Sequence, residues 1–356
     1  MRQSEEILSP SPYRSRVEYS TFSESEAIFW MGGRLAYDLQ EISHDPTSLD
    51  GSGFWAVSTT FEGEWTCARF AEVVDAPLPK ADKRWRPIKA AWVSSLSEDE
   101  YINYVRKIQS QISQGWVYQV NACRVLSAPA DRQSLLPLMH EIISLNPAPY
   151  SSYLRLPGLE IASASPELFL ERKQGLLTSA PIKGTKLPGH DEIEFGSKDQ
   201  AENIMIVDLI RNDIGRISKT GSVSVPRLLE TQSHPGLSHL VSYVQGEILD
   251  GIGWPQISSA LLPPGSVSGA PKSSALETID RLEGERRGPY CGVLGWIEED
   301  RALLSLAIRI FWDVRDGVLR FGSGAGITWS SVPVDEWEET ELKAHRLMAI
   351  ANGEIV

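Results

Sequence analysis

A carboxylate and an amine stand at the two ends of one short hairpin. Glu167 follows Ser165-Pro166, and Lys183 lies within Pro181-Ile182-Lys183-Gly184-Thr185. Between them Leu168, Phe169 and Leu170 read as a strand, Gln174-Gly175 as a turn, and Leu176 to Ile182 as the return strand. A carboxyl and an amine are groups that serve as proton donor and nucleophile. A strand-end lysine is ordinarily a solvated charge. Here Pro181 fixes the approach and Gly184 lets another group or backbone come close. Further along stand two acidic pairs, Asp199 with Glu202 and Glu336 with Glu339, each three residues apart and so on one helix face. One such pair is ordinarily a solvated face. Two that converge need a counter-charge, and all-oxygen ligands suit Mg²⁺ better than zinc.

The elements that must hold these groups are short strands and capped helices. Apolar runs from Ala27 to Val74, such as Phe54-Trp55-Ala56-Val57, are punctuated by Gly, Asp and Pro and predict antiparallel strands. Residues 1 to about 25 read as a loose lead-in, and the Pro- and Lys/Arg-rich stretch 76–91 as a linker or long loop. Ser97 with Glu100 is a capping-box pattern. Tyr101, Tyr104, Val105, Ile108 and Ile112 then recur at helical spacing up to Gly115. A strand is expected over 116–125 and helices over 134–145 and 197–214, whereas 221–247 mix a strand with a helix or loop around His239. A turn-rich loop over 262–272 leads to a helix through Leu276 to Leu282. Strands over 290–296, 302–312 and 318–322 and a helix over 335–351 close the chain. Helices and hairpins in alternating blocks describe an α+β fold. We divide it into an N-terminal, strand-rich segment, 1–90, belonging to the same fold, and a catalytic region, 91–356.

Composition narrows the function. The net charge of −13 offers no cationic footprint for a nucleic-acid backbone. No apolar run is long enough to span a bilayer, and the polar N-terminus has no signal core. The three scattered cysteines, Cys67, Cys123 and Cys291, fit neither a disulfide framework nor a zinc site, and a reducing, cytoplasmic compartment is expected.

The motifs, taken in order, resemble those of the chorismate-utilising enzymes. Ser165-Pro166-Glu167 and Pro181-Ile182-Lys183-Gly184-Thr185 match one pair of motifs. Ala201-Glu202-Asn203 through Asp208-Leu209-Ile210-Arg211-Asn212-Asp213 resembles the first metal helix, and Asp335-Glu336-Trp337-Glu338-Glu339-Thr340 the second. The resemblance implies two packed antiparallel β-sheets flanked by helices, with the active site between them. It implies that Glu202 and Glu339 hold Mg²⁺ directly, with Asp199 and Glu336 acting through water. It places His239 near the reacting ring, and Ser266, Tyr290, Arg309, Lys343 and the backbone of Gly324 and Gly326 on the substrate carboxylates. Chorismate is a dianion, which a magnesium ion, cationic side chains and backbone N–H groups can offset.

Within the family, members that activate water carry a lysine where this chain has Gln119, and anthranilate-forming members carry a small residue where this chain has Lys183, so a lysine at 183 resembles the members that aminate chorismate at C4. By that resemblance Glu167 protonates the departing C4 hydroxyl and Lys183 forms a covalent adduct at C2, which ammonia displaces by adding at C4. None of the cysteines has the context of a glutaminase nucleophile, so ammonia is expected from a separate glutaminase subunit. Two alternatives stand beside this reading: another enzyme of the family, such as one making anthranilate, and a non-catalytic subunit that only binds chorismate.

Overall fold

The computed structural model describes residues 22–186, 195–234 and 237–354, so most of the expected lead-in lies outside the described residues. The chain begins with β1 (Ile28–Met31), β2 (Arg34–Ser43), β3 (Phe54–Thr59) and β4 (Trp65–Asp75). After β5 (Val93–Ser94) the helix α1 (Glu98–Ser113) starts on the predicted capping box, with Ser97 and Glu100 bonding reciprocally. Then come β6 (Gln119–Pro129), α2 (Leu136–Leu145), β7 (Tyr150–Leu156) and β8 (Leu159–Ser165). The hairpin that opened the sequence reading is β9 (Leu168–Lys173) with β10 (Leu176–Ala180) and β11 (Ile182–Lys186). The return strand is therefore interrupted at Pro181, which has no N–H to give a ladder. Next are α3 (Ser197–Gly215), β12 (Ser224–His234), β13 (Leu237–Glu247), α4 (Trp254–Leu261), the single turn α5 (Gly265–Ser268), β14 (Gly269–Ala270) and α6 (Lys272–Leu282). The chain closes with β15 (Val293–Glu298), β16 (Arg301–Leu306), β17 (Ile310–Asp313), β18 (Val318–Ile327) and α7 (Pro333–Ala351).

Followed from neighbour to neighbour, the ladder runs β12, β13, β10, β9, β16, β15, β3, β4, β2, β1, β7, β8, β17, β18, β6, antiparallel at each step. β11 continues β10 along β13, while β5 and β14 pair with β6. The described strands thus form one hydrogen-bonded sheet of eighteen, rather than the two separate sheets expected. The sheet is antiparallel and flanked by helices, and its two ends come to one place. Helix α3 packs on β13 and β11 at one end. Its Glu202 Oε2 lies 3.8 Å from where a Cβ on Gly326 of β18 would stand, at the other.

Several local expectations are corrected. His239 sits on a regular strand, because the stretch from Ser238 to Gln245 is paired with ladders on both edges. The predicted strand 302–312 is two strands, broken at Ala307–Arg309, where Arg309 takes φ +55°. Helix α4 had no counterpart in the sequence reading. Stretch 76–91 is no free linker: Leu78, Trp85 and Ile88 are buried, and Trp85 Nε1 donates to Ala351 O at 2.8 Å, fastening the loop to the end of α7.

Candidate active site

The site grows from a matched interruption in two neighbouring strands. β8 pairs with β17 and β9 with β16, so the chain crosses from one pairing to the next at Pro166–Glu167 and again at Ala307–Arg309. The two gaps lie side by side. Leu306 N donates to Glu167 O at 3.0 Å, and Ala164 N donates to Arg309 O at 3.1 Å. A residue in such a gap need not follow the strand's alternation, and these two are a carboxylic acid and a guanidinium.

Glu167 is buried at 6% exposure. Burial pushes its pKa up from 4.5 to about 7 against the opposing pull of Lys183, of hydrogen bonds from the Ser266 hydroxyl and the Ile182 N–H, and of Lys343. A carboxyl in that state can arrive protonated and give its proton away. The Lys183 amine donates to Ser266 O at 3.3 Å. Ser266, on the single turn α5, therefore acts on both groups: its carbonyl takes the amine, and its hydroxyl draws the acid's pKa down. Gly184 takes φ +71°, and a Cβ there would meet the Phe195 ring at 2.6 Å and Asp199 Cγ at 3.1 Å, so the backbone beside Lys183 is pressed against the start of α3.

Arg309 is half-buried and pushed below the ordinary guanidinium value by burial alone, with no carboxylate contributing. A partly buried cation on which no carboxylate among the described residues acts suits a substrate carboxylate. His239 is buried on β13, opposite Thr185 of the lysine strand. Tyr290, expected at a substrate carboxylate, is a core residue at 5% exposure, its ring so close over Gly322 that a Cβ there would lie 2.1 Å from Tyr290 Cγ.

The acidic pairs are placed by two helices. Asp199 lies in the first turn of α3 against Gly184, and Glu202 one turn on faces Gly326. On α7, Glu336 is buried in the first turn, and Glu339 Oε1 accepts from Lys343 Nζ at 2.6 Å. Lys343 also donates to Gly324 O at 3.0 Å. Among the described residues no three acidic, histidine or cysteine side chains stand ready-clustered for a metal. Glu202 and the Glu339–Lys343 pair nevertheless reach the same Gly324–Gly326 stretch of β18, and their oxygen-only donors fit Mg²⁺, which completes its shell with water and substrate oxygens. Gln119 closes the same corner: a Cβ on Gly326 would strike its Nε2 at 2.2 Å, while its Oε1 is buried with no partner among the described residues.

Sequence reasoning missed the cations that brace this arrangement. Arg287, 2% exposed, and Arg124, also 2%, are buried beneath the site. The only sequence signal was the i, i+4 spacing of Glu283 and Arg287. It does not tell Arg287 from its exposed neighbour Arg286.

The chain belongs to the chorismate binding enzyme family, which it matches over residues 29–349. It is similar to anthranilate synthase component 1 3 of Haloarcula marismortui, 37% identical over 270 residues, covering 73% of this chain and 53% of the relative. It is also similar to aminodeoxychorismate synthase component 1 of Bacillus subtilis, 34% identical over 300 residues, covering 77% of this chain and 63% of that relative. It therefore aligns to well under the full length of either. Among solved structures, anthranilate synthase component I of Streptococcus pneumoniae superposes with TM-score 0.75 at 23% identity, covering 98% of this chain and 95% of the other. The menaquinone-specific isochorismate synthase of Escherichia coli superposes with TM-score 0.76 at 17% identity, covering 94% and 92%. These two likenesses concern the fold.

Proposed function

We propose that this enzyme of the chorismate family is an aminodeoxychorismate synthase component I, converting chorismate and ammonia to 4-amino-4-deoxychorismate and water. The observation that carries the reading is the amine of Lys183 bonded to Ser266 O beside a buried, protonatable Glu167 whose pKa both residues lower. Glu167 protonates the departing C4 hydroxyl, which leaves as water, while Lys183 Nζ bonds to C2. Ammonia then bonds to C4 and the C2–Nζ bond breaks, returning the lysine. Arg309, on which no carboxylate among the described residues acts, takes a substrate carboxylate. Glu202 and Glu339 would hold Mg²⁺, with Asp199 and Glu336 acting through water, and the ion when bound offsets the charge of a substrate carboxylate. Gln119 cannot act as the base that activates water, which speaks against hydroxylation of the ring.

A second reading, anthranilate synthase component I, is favoured by sequence identity of 37% and 38% to two proteins of that name. The products separate the two. Purified chain is incubated with chorismate, Mg²⁺ and an ammonium salt, and the product is identified by mass. The 4-amino product retains the enolpyruvyl group, whereas anthranilate forms with release of pyruvate. Anthranilate as the main product overturns the first reading, and no turnover with retained chorismate binding points to a non-catalytic subunit.

A further inference from the structure

Beneath the acid and the lysine lies a guanidinium that touches neither. Arg287 is held by Glu283, its Nε and Nη2 each donating to that carboxylate at 2.7 Å, and it lies 4.1 Å over the ring of Phe61. Glu283 itself is filled: its Oε1 also accepts from Tyr104 OH at 3.1 Å and from Cys123 N at 3.0 Å. Two of the three remaining N–H groups of Arg287 go to backbone carbonyls of different elements. Nη1 donates to Val267 O on α5 at 2.8 Å, and Nη2 to Asn121 O on β6 at 2.7 Å. Val267 is the residue after Ser266, whose carbonyl takes the Lys183 amine and whose hydroxyl draws Glu167's pKa down.

Resting on the reading of Lys183 and Glu167 as nucleophile and acid, we propose that Arg287 is the positioning residue of the pair, pinning the Ser266–Val267 turn whose backbone takes the Lys183 amine and whose Ser266 hydroxyl lies on the side of Glu167. The physical reason is that α5 is a single turn, too short to fix its own orientation. Its neighbours come close at both ends, where only glycine fits: a Cβ on Gly265 would meet the Leu209 side chain at 2.6 Å, and one on Gly269 would meet Gln119 O at 2.1 Å, beside the short β14–β6 ladder. A planar fork that is already anchored on a carboxylate and a ring supplies the missing direction. It also ties α5 to β6, the strand that carries Gln119. A lysine keeps a charge toward Glu283, but its donors sit on one nitrogen and cannot span the positions of the two carbonyls.

The test is Arg287→Lys in the full chain, with ammonia as nitrogen source. The expected result is a fall in kcat of about 10²-fold, the scale of a small misplacement of reacting groups, with the KM for chorismate changed by less than about threefold. The alkaline limb of the kcat–pH profile should also move to higher pH, because the Ser266 hydroxyl, which favours the ionised form of Glu167, loses its place. A merely structural role lowers the melting temperature and the active fraction but leaves the limb where it is. In the Ser266→Ala background, Arg287→Lys should shift the limb no further. Should the lysine variant fail to fold, Glu283→Gln leaves Arg287 present with a loosened fork and should give the same shift at smaller size. An unmoved limb and wild-type kcat in the folded variant overturn the proposal. Full activity of Lys183→Ala would overturn the underlying reading instead, and the position of the limb would still report on Arg287.

Discussion

Glu167 is where burial and chemistry meet in one side chain. Its folded pKa of about 7 stands above the ordinary 4.5, so the folded protein holds a proton that the unfolded chain releases between those values. The sign follows: the contribution is fully present below about pH 4.5, is lost as the pH rises toward 7, and costs about 3 kcal/mol beyond it. Glu167→Gln should therefore be more stable than wild type in urea above about pH 8 and little changed near pH 4. An equal difference at both pH values would mean that the carboxyl is not raised. The same group predicts that wild-type activity declines above about pH 7 as the acid ionises. Lys183→Ala leaves Arg309 and both acidic helices in place, so chorismate should still bind. The 4-amino product should fall by orders of magnitude, and arginine at 183 should not rescue it, because guanidinium stays protonated. Wild-type rates of that product from Lys183→Ala, measured by mass, would reduce the lysine to a charge near the substrate.

At the scale of elements, helix α7 carries two of the acidic residues and must be held against the sheet. Arg124 of β6 does this from beneath. Its Nε donates to Thr340 Oγ1 at 2.9 Å, its guanidinium lies 4.1 Å over the Trp337 ring, and it ion-pairs with Glu341. Ser323 Oγ of β18 adds a bond to Thr340 O at 2.7 Å. Arg124→Met should cost about 2 kcal/mol, less than breaking a fully buried pair, because the Glu341 side chain is 57% exposed and regains water. Urea unfolding checks it. The acidic helices make a second prediction. Chelation should inactivate the enzyme reversibly, with Mg²⁺ restoring it, and Glu339→Gln should abolish turnover while the melting curve keeps its shape. Titration of the metal by calorimetry should give no binding heat in that variant. Undiminished activity in excess chelator would remove the metal from the mechanism.

For the molecule as a whole, the proposed amination depends on a source of nitrogen. All three cysteines are free and buried, at 0% to 4% exposure, and burial pushes the Cys67 thiol up to about 12. None offers an exposed thiolate of the kind a glutaminase uses. Purified chain should therefore be inactive with glutamine as sole nitrogen source and active with ammonia, a separate glutaminase restoring the glutamine reaction. Glutamine-dependent product from rigorously purified chain would refute this. Among the described residues no helix is long and apolar enough to cross a membrane.

What the sequence determined by itself was local chemistry and its order. The capping box at Ser97 and Glu100, the helical spacing of Asp199 with Glu202 and of Glu336 with Glu339, and the motifs around Glu167 and Lys183 each lie within a few residues. Their physics is that of one turn or one hairpin. Tertiary structure decided what depends on distant pairing. The strand expected over 302–312 breaks at Arg309 only because its two halves serve different partners, β9 and β8. The stretch around His239 is a strand because ladders flank it on both sides, and the stretch after Ala76 is buried because α7 ends against it. Two sheets were expected where there is one, since no short segment reveals how far a ladder continues before its ends meet. Arg287 and Arg124 were illegible for the same reason: a buried guanidinium is identified by the carbonyls and carboxylates around it, and those come from elements scattered along the chain.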